Sequence, residues 1–311
     1  MDLQLRARTD QFTAELVRAM PQLTVPQAVS AAMQLVDAVE ISRYEDFGAV
    51  IGMVSQLQLR PASEWEFFGY EPKPDAAVVR LEMPQEGREG RDRIQFEDHY
   101  LASDMKRIHH SQVHLPAYRD AVGGWRKRLG YVTEPSMAYL EFGAGRPLRR
   151  IEMLGNLWKI GAVATWEHDW EGATSWCYID NRPETGAAPY LMMSELDAWY
   201  RLRIHHEVGR DGFVEIARCL GEIFCGYVDQ LWDRPVPAGS LRGPESEAAA
   251  YIALERLWVP MRSKRTEWFH KYVSGEPMPE EFRWNVVFEA AAQIEDLLRG
   301  DTAPVTVTAT A

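Results

Sequence analysis

Basic charge is in deficit in this chain. Its 311 residues hold 34 Lys and Arg against 46 Asp and Glu, a formal net charge of −12. Nucleic acid and anionic membrane both select a concentrated basic face, and the cations here are scattered, so neither is expected as a partner. Long apolar runs are also lacking. None approaches the roughly 20 residues that cross a bilayer. Residues 1–30 mix acids and prolines without an apolar core, so no secretory leader is expected. Cysteine is scarce: Cys177, Cys219 and Cys225 are an odd and sparse set, which fits a reducing cytoplasm. Cys219 and Cys225 are six apart, a spacing that does not bring two thiolates to one helix face. Catalytic signatures are missing as well. There is no glycine-rich phosphate loop, no G-x-S-x-G and no His-Glu-x-x-His. The magnesium-binding clusters of class I terpene cyclases do not occur either.

Aromatic residues, by contrast, are abundant: eleven Trp, twelve Tyr and eleven Phe. They suit either a thick core or a permanent subunit interface. The most organised stretch is Leu191 to Trp232, with no proline until Pro235. In its second half Phe213, Ile216, Ala217, Leu220, Ile223, Phe224, Tyr227, Val228 and Leu231 form one helical stripe. In its first half Met192, Leu196, Tyr200, Ile204 and Val208 make an i, i+4 row, read as a second helix. Gly221 and Gly226 lower helix stability, so another helix is expected to pass close there.

Elsewhere the same period recurs. Thr24, Pro26 and Gln27 spell a capping box, followed by Val25, Val29, Met33, Val36 and Val39 as a buried row. Periodicity lapses from Arg60 to Gly90, where prolines interrupt Trp65, Phe67, Phe68 and Tyr70; an irregular arm that binds another surface is expected. Ile94, Leu101, Met105, Ile108 and Leu115 predict a helix ended by Pro116. Pro147 opens another, with Leu148, Ile151, Leu154, Trp158, Ala162 and Trp166 as its stripe. A helix from about Glu245 should break at Pro260, and a last one should run from Pro279 with Phe282, Val286, Ala290, Ile294 and Leu297 inward. No strand is expected. The fold class predicted is all-α.

Metal-ligating side chains are present but poorly arranged. His110 and His114 are i, i+4, and an Ile-His-His segment recurs at Ile204, His205 and His206. Neutral imidazoles also satisfy buried carbonyls and carboxylates, so such a pair is a weak metal signal. Glu267-Trp-Phe-His270 is a single Glu-x-x-His, whereas a carboxylate-bridged dimetal site in a bundle needs that pair twice. The set that could ligate a metal with irregular geometry is Glu97, Asp104, His110, Glu195, His206, Glu267 and His270. The expectation is that no residue here is catalytic, binds a cofactor or holds a metal.

Three short segments resemble the β (small) subunit of the hydroxylase in bacterial multicomponent diiron monooxygenases, the phenol, toluene, propane and methane group. They are Arg146-Pro-Leu-Arg-Arg-Ile-Glu152, opening a long helix through Asn156; Arg210-Asp-Gly-Phe-Val-Glu215 before a long apolar helix; and Arg265-Thr-Glu-Trp268 with Asn285 in a terminal amphipathic helix. A tryptophan commonly follows the aspartate of the second segment in that family, and Gly212 stands here instead. The resemblance implies a ferritin-like helical bundle without iron ligands, packed in the cytoplasm against a diiron-bearing hydroxylase α subunit and fixing its helices. Periodicity and the resemblance together divide the chain into N-terminal helices (1–58), an irregular arm (59–93), a ferritin-like domain (94–300), which the resemblance covers, and a frayed tail (301–311). A stand-alone metal-dependent oxygenase using the irregular set, and a helical binder of an apolar ligand, are the alternatives.

Overall fold

The computed structural model describes residues 3–38, 59–83, 95–101, 104–108, 153–167, 177–181, 198–205, 212–228, 241–257, 259, 279 and 281–302. Of these, 56% are helical and 22% lie in strands, so the fold is mixed α/β and the all-α, ferritin-like expectation is overturned. The chain forms two compact units, Met1–Arg146 and Pro147–Ala311.

The first unit opens with α1 (Leu3–Ala19) and α2 (Val25–Ala38), packed on each other. The capping box closes as the sequence requires: Thr24 N donates to Gln27 Oε1 at 3.1 Å, and Gln27 N donates to Thr24 Oγ1 at 3.4 Å. The buried face of α2 is Val25, Ala28, Ala31, Ala32 and Leu35, while Met33 is 61% exposed, so the valine row was set one step off the core. Small alanines let α1 approach closely; the larger methionine faces out.

The stretch expected as an irregular arm contains β1 (Leu59–Pro61), α3 (Ala62–Phe67), β2 (Tyr70–Pro72) and β3 (Val79–Met83). Val79-Arg-Leu-Glu-Met83 alternates apolar and charged, the period of a half-buried strand, and Val79 and Leu81 point inward. β4 (Gln95–Leu101) and β5 (Met105–Arg107) replace the helix expected from Ile94. The first sheet has the order β1-β4-β3, antiparallel throughout, with Val79 opposite His99 and Leu59 opposite Leu101. β2 and β5 form a separate antiparallel pair. Two glutamines of α2, a heptad apart, serve the outer side of β3. Gln34 accepts from Arg80 N and donates to Arg80 O, both at 3.0 Å, and Gln27 donates to Glu82 O at 2.9 Å. A side-chain amide thus does for a sheet edge what a neighbouring strand would do.

In the second unit a 3₁₀ turn (Leu157–Ile160) leads into β6 (Ala162–Glu167). Gly161, left-handed at φ +70°, ends the turn, and the following Ala-Val-Ala-Thr-Trp run suits a strand, so no helix continues to Trp166. β7 (Cys177–Asn181) and β8 (Tyr200–His205) complete a sheet of order β6-β8-β7, with β6 parallel and β7 antiparallel to β8. The first half of the Leu191–Trp232 stretch is therefore a strand where it is described. A spacing of four is even, so Tyr200 and Ile204 share a face in a strand as in a helix; buried Leu202 between them marks the period as two.

Among the described residues three helices follow: α4 (Gly212–Phe224), α5 (Arg242–Arg256) and α6 (Trp284–Arg299). They pack on one another, and α4 also lies against β7 and β8. α6 begins at Trp284, after a turn in which Phe282 N donates to Pro279 O at 3.0 Å. The expected close approach at Gly221 is present. A Cβ there would fall on the carbonyl oxygen of Ser246 and 2.9 Å from its Cα. Gly226 has a different role, as the positive-φ residue (+82°) just past α4.

Candidate functional site

Of the irregular metal set, only Glu97 and Asp104 lie among the described residues; His110, Glu195, His206, Glu267 and His270 lie outside them. Glu97 sits on β4 with its carboxylate 3.8 Å from Nε2 of buried His99. Asp104 ties the loop before β5: its carbonyl accepts from Lys73 N at 2.9 Å and its carboxylate from Ala77 N at 3.3 Å. Among the described residues no group of three or more His, Cys, Asp or Glu is placed to hold a metal.

The concentration of buried charge is elsewhere, where α4 crosses α5. Glu215, Arg218 and Glu222 stand at i, i+3 and i+7 on α4, so they form one polar stripe on an otherwise apolar helix. Glu215 and Glu222 are only 4% and 6% exposed, so the stripe faces inward. Arg218 donates to Glu215 at 3.1 Å and also pairs with Glu222. Arg242, from the first turn of α5, donates to Glu222 Oε2 through Nη2 at 2.6 Å and through Nε at 3.0 Å. Glu247 lies one residue beyond the Gly221–Ser246 contact, in the field of Arg218 and Glu215. Its Oε2 is buried and receives no hydrogen bond. Burial pushes its carboxyl up to about 7; Arg218 opposes that shift and Glu215 adds to it.

As the chain climbs α5 from Arg242 through Ser246 to Glu247, the partners on α4 descend from Glu222 through Gly221 to Arg218 and Glu215. The two helices therefore run antiparallel. α5 and α6 run in the same sense, because Glu245 pairs with Arg283 and Arg256 with Glu295. Both pairs are built from fully buried members, Glu245 and Arg256. Glu245 also accepts from Tyr227 Oη at 2.9 Å, and Arg283 Nη2 reaches the carbonyl of Cys225 at 3.1 Å. Burial, then the charge of Glu245, pushes the Tyr227 phenol well above its usual range. Arg299 covers the other oxygen of Glu295 at 2.7 Å.

Chemically, most of these charges are engaged by one another, and they set helix direction and register. Glu247 is the exception, a carboxyl able to take and release a proton near neutrality. None of this network was anticipated from the sequence, although the i, i+3, i+7 spacing of Glu215, Arg218 and Glu222 was a visible signal. Of the family-like segments, residues 146–152, 210–211 and 265–268 lie outside the described residues. Asn156 Nδ2 donates to Leu298 O at the end of α6, at 3.1 Å. At Gly212 the indole of Trp166 fills the neighbouring space, with Nε1 3.2 Å from where a Cβ would stand, so a tryptophan at 212 would collide with it. No protein-family model, curated protein or solved structure matches the chain.

Proposed function

We propose that this chain is a non-catalytic subunit that works by docking on a partner polypeptide through its second unit. The observation that carries this is the placement of two tryptophans. Among the described residues of that unit, Trp158 on the 3₁₀ turn and Trp166 on β6 are the large apolar side chains left exposed, at 41% and 45%. Tryptophan is the residue most enriched among those that dominate protein–protein binding, because it buries a large rigid surface at low entropic cost. The buried charges of the same unit support the proposal from the other side. They pair with one another across α4, α5 and α6, as the beams of a support would.

The hydroxylase resemblance supplies a partner class, the diiron α subunit of a multicomponent monooxygenase, and that is the first partner to try. The ferritin-like fold that would carry a family relation is not the fold observed, so the partner class rests on the three short segments alone. Any cofactor would then sit on the partner chain.

Co-expression of the full chain with the products of neighbouring genes, followed by native mass spectrometry, tests the proposal. A defined hetero-complex is expected, weakened by Trp158→Ala and Trp166→Ala by about 2 kcal/mol or more each if they are hot spots. A chain that stays alone beside those products, or a complex indifferent to both substitutions, overturns it.

A further inference from the structure

The α4–α5 seam holds, among its described residues, three carboxylates and two guanidiniums. Arg218 bridges Glu215 and Glu222, and Arg242 takes the second oxygen of Glu222. That leaves Glu247 as the acid without a hydrogen-bonded cation, its inner oxygen buried and unpartnered. The backbones around it cannot move apart or slide without loss, because Gly221 and Ser246 already touch. α5 has a second neighbour, α6: Arg283, just before it, and Glu295 on it are held by Glu245 and Arg256, and Asp296 lies in the field of Arg256. Among the described residues, the charges that act on Glu247 are Glu215 and Arg218 of α4.

We propose that Glu247 is a proton-operated latch on the α4–α5 crossing. With a proton on its inner oxygen the described charges of the seam balance, and it closes over Gly221 and Ser246. Without the proton a half-buried carboxylate with no hydrogen-bonded cation stands beside Glu215, and the crossing loosens.

The sign of the effect follows from linkage. The folded state holds this proton more tightly than the unfolded chain, so stability is highest at mildly acidic pH and falls as pH rises through neutrality. Urea unfolding of the full chain between pH 6 and 8 should show the unfolding constant rising by up to about tenfold per pH unit, the limit for one proton. Glu247→Gln, which mimics the protonated form, should flatten that slope and be at least as stable as the wild type at pH 8. Retention of the slope by the variant, or a loss of stability at pH 8, overturns the latch. Carboxyl-carbon NMR of the wild type, with Glu247 assigned through its own backbone, reads the same proton without relying on the variant. A midpoint near neutrality is expected, and one in the ordinary carboxylate range overturns the proposal.

Discussion

Arg283 meets Glu245 twice over: its backbone amide donates to Oε1 at 2.8 Å, and its guanidinium Nη2 donates to Oε2 at 2.7 Å. The residue before the first turn of α6 is therefore held, main chain and side chain together, by one carboxylate of α5. Tyr227 also donates to Oε2, and its ring lies under the guanidinium with 5.6 Å between Arg283 Cζ and the ring centroid.

Removing that carboxylate takes an acceptor from a guanidinium, a phenol and an amide at a half-buried place, where the guanidinium keeps its bond to the Cys225 carbonyl. Glu245→Ala should cost about 3–5 kcal/mol, the range for breaking a buried pair from one side. Equilibrium urea unfolding measures it. The double variant with Arg283→Met should recover part of the loss, since the cation that lost its carboxylate is then gone. A cost below about 1 kcal/mol for Glu245→Ala would mean the pair does not hold the start of α6.

Glycine offers a matched comparison within one helix pair. Gly221→Ala gains helix propensity of up to about 1 kcal/mol, but its methyl would press on the Ser246 backbone, which has no rotamer to yield. A net loss of about 1–3 kcal/mol is expected from overpacking. Gly243, in the first turn of α5, has nothing within 4 Å of an added Cβ. Gly243→Ala should be neutral or stabilising by up to about 1 kcal/mol. Thermal unfolding of the two variants side by side should separate them in opposite directions.

How much of this was legible differs by residue type. The apolar stripe of α4 and the capping box of α2 were readable because each is a local pattern that one helix satisfies by itself. So was the contact at Gly221, where a glycine inside a strong helix needs a reason. The strands were missed where their spacing mimicked a helix, as at Tyr200 and Ile204, or where prolines masked a short alternation, as from Val79 to Met83. The charged seam was hidden for another cause. Glu215 and Glu222 look like a solvated face in sequence, and only Arg242 and Glu247, supplied by a different helix, make that face an interior one.

The capping box gives a test confined to the first unit. Thr24→Ala removes the Oγ1 that receives Gln27 N and frees Gln27 from its place beside β3, where it also donates to Glu82 O. Loss of about 1 kcal/mol is expected, the usual worth of an N-cap. Thr24→Ser keeps the hydroxyl and should keep the stability. Proteolysis within α2 should accelerate in the first variant and not in the second.

The end of α6 is closed by residues far away in sequence, and this can be dissected. Gly300 sits at φ +90° and donates its amide to Asp296 O at 3.0 Å and Leu297 O at 3.1 Å, a left-handed helix stop. Asn156 donates to Leu298 O, and Lys159 reaches the carbonyl of Gly300, so the 3₁₀ turn supplies donors that the last turn of a helix lacks within itself. Gly300→Ala must place a methyl in a conformation L-residues avoid and within 3.2 Å of the Asn156 amide; a loss of about 1–2 kcal/mol is expected. Asn156→Ala removes the donor and leaves a carbonyl open, for about 0.5–1.5 kcal/mol. Because Asn156 crowds the very site where the new methyl goes, the two losses should not add. In the double variant the methyl gains room, and its total cost should fall short of the sum, as a double-mutant cycle in urea would read directly. Strict additivity would place Asn156 away from the helix stop and break the link between the 3₁₀ turn and α6.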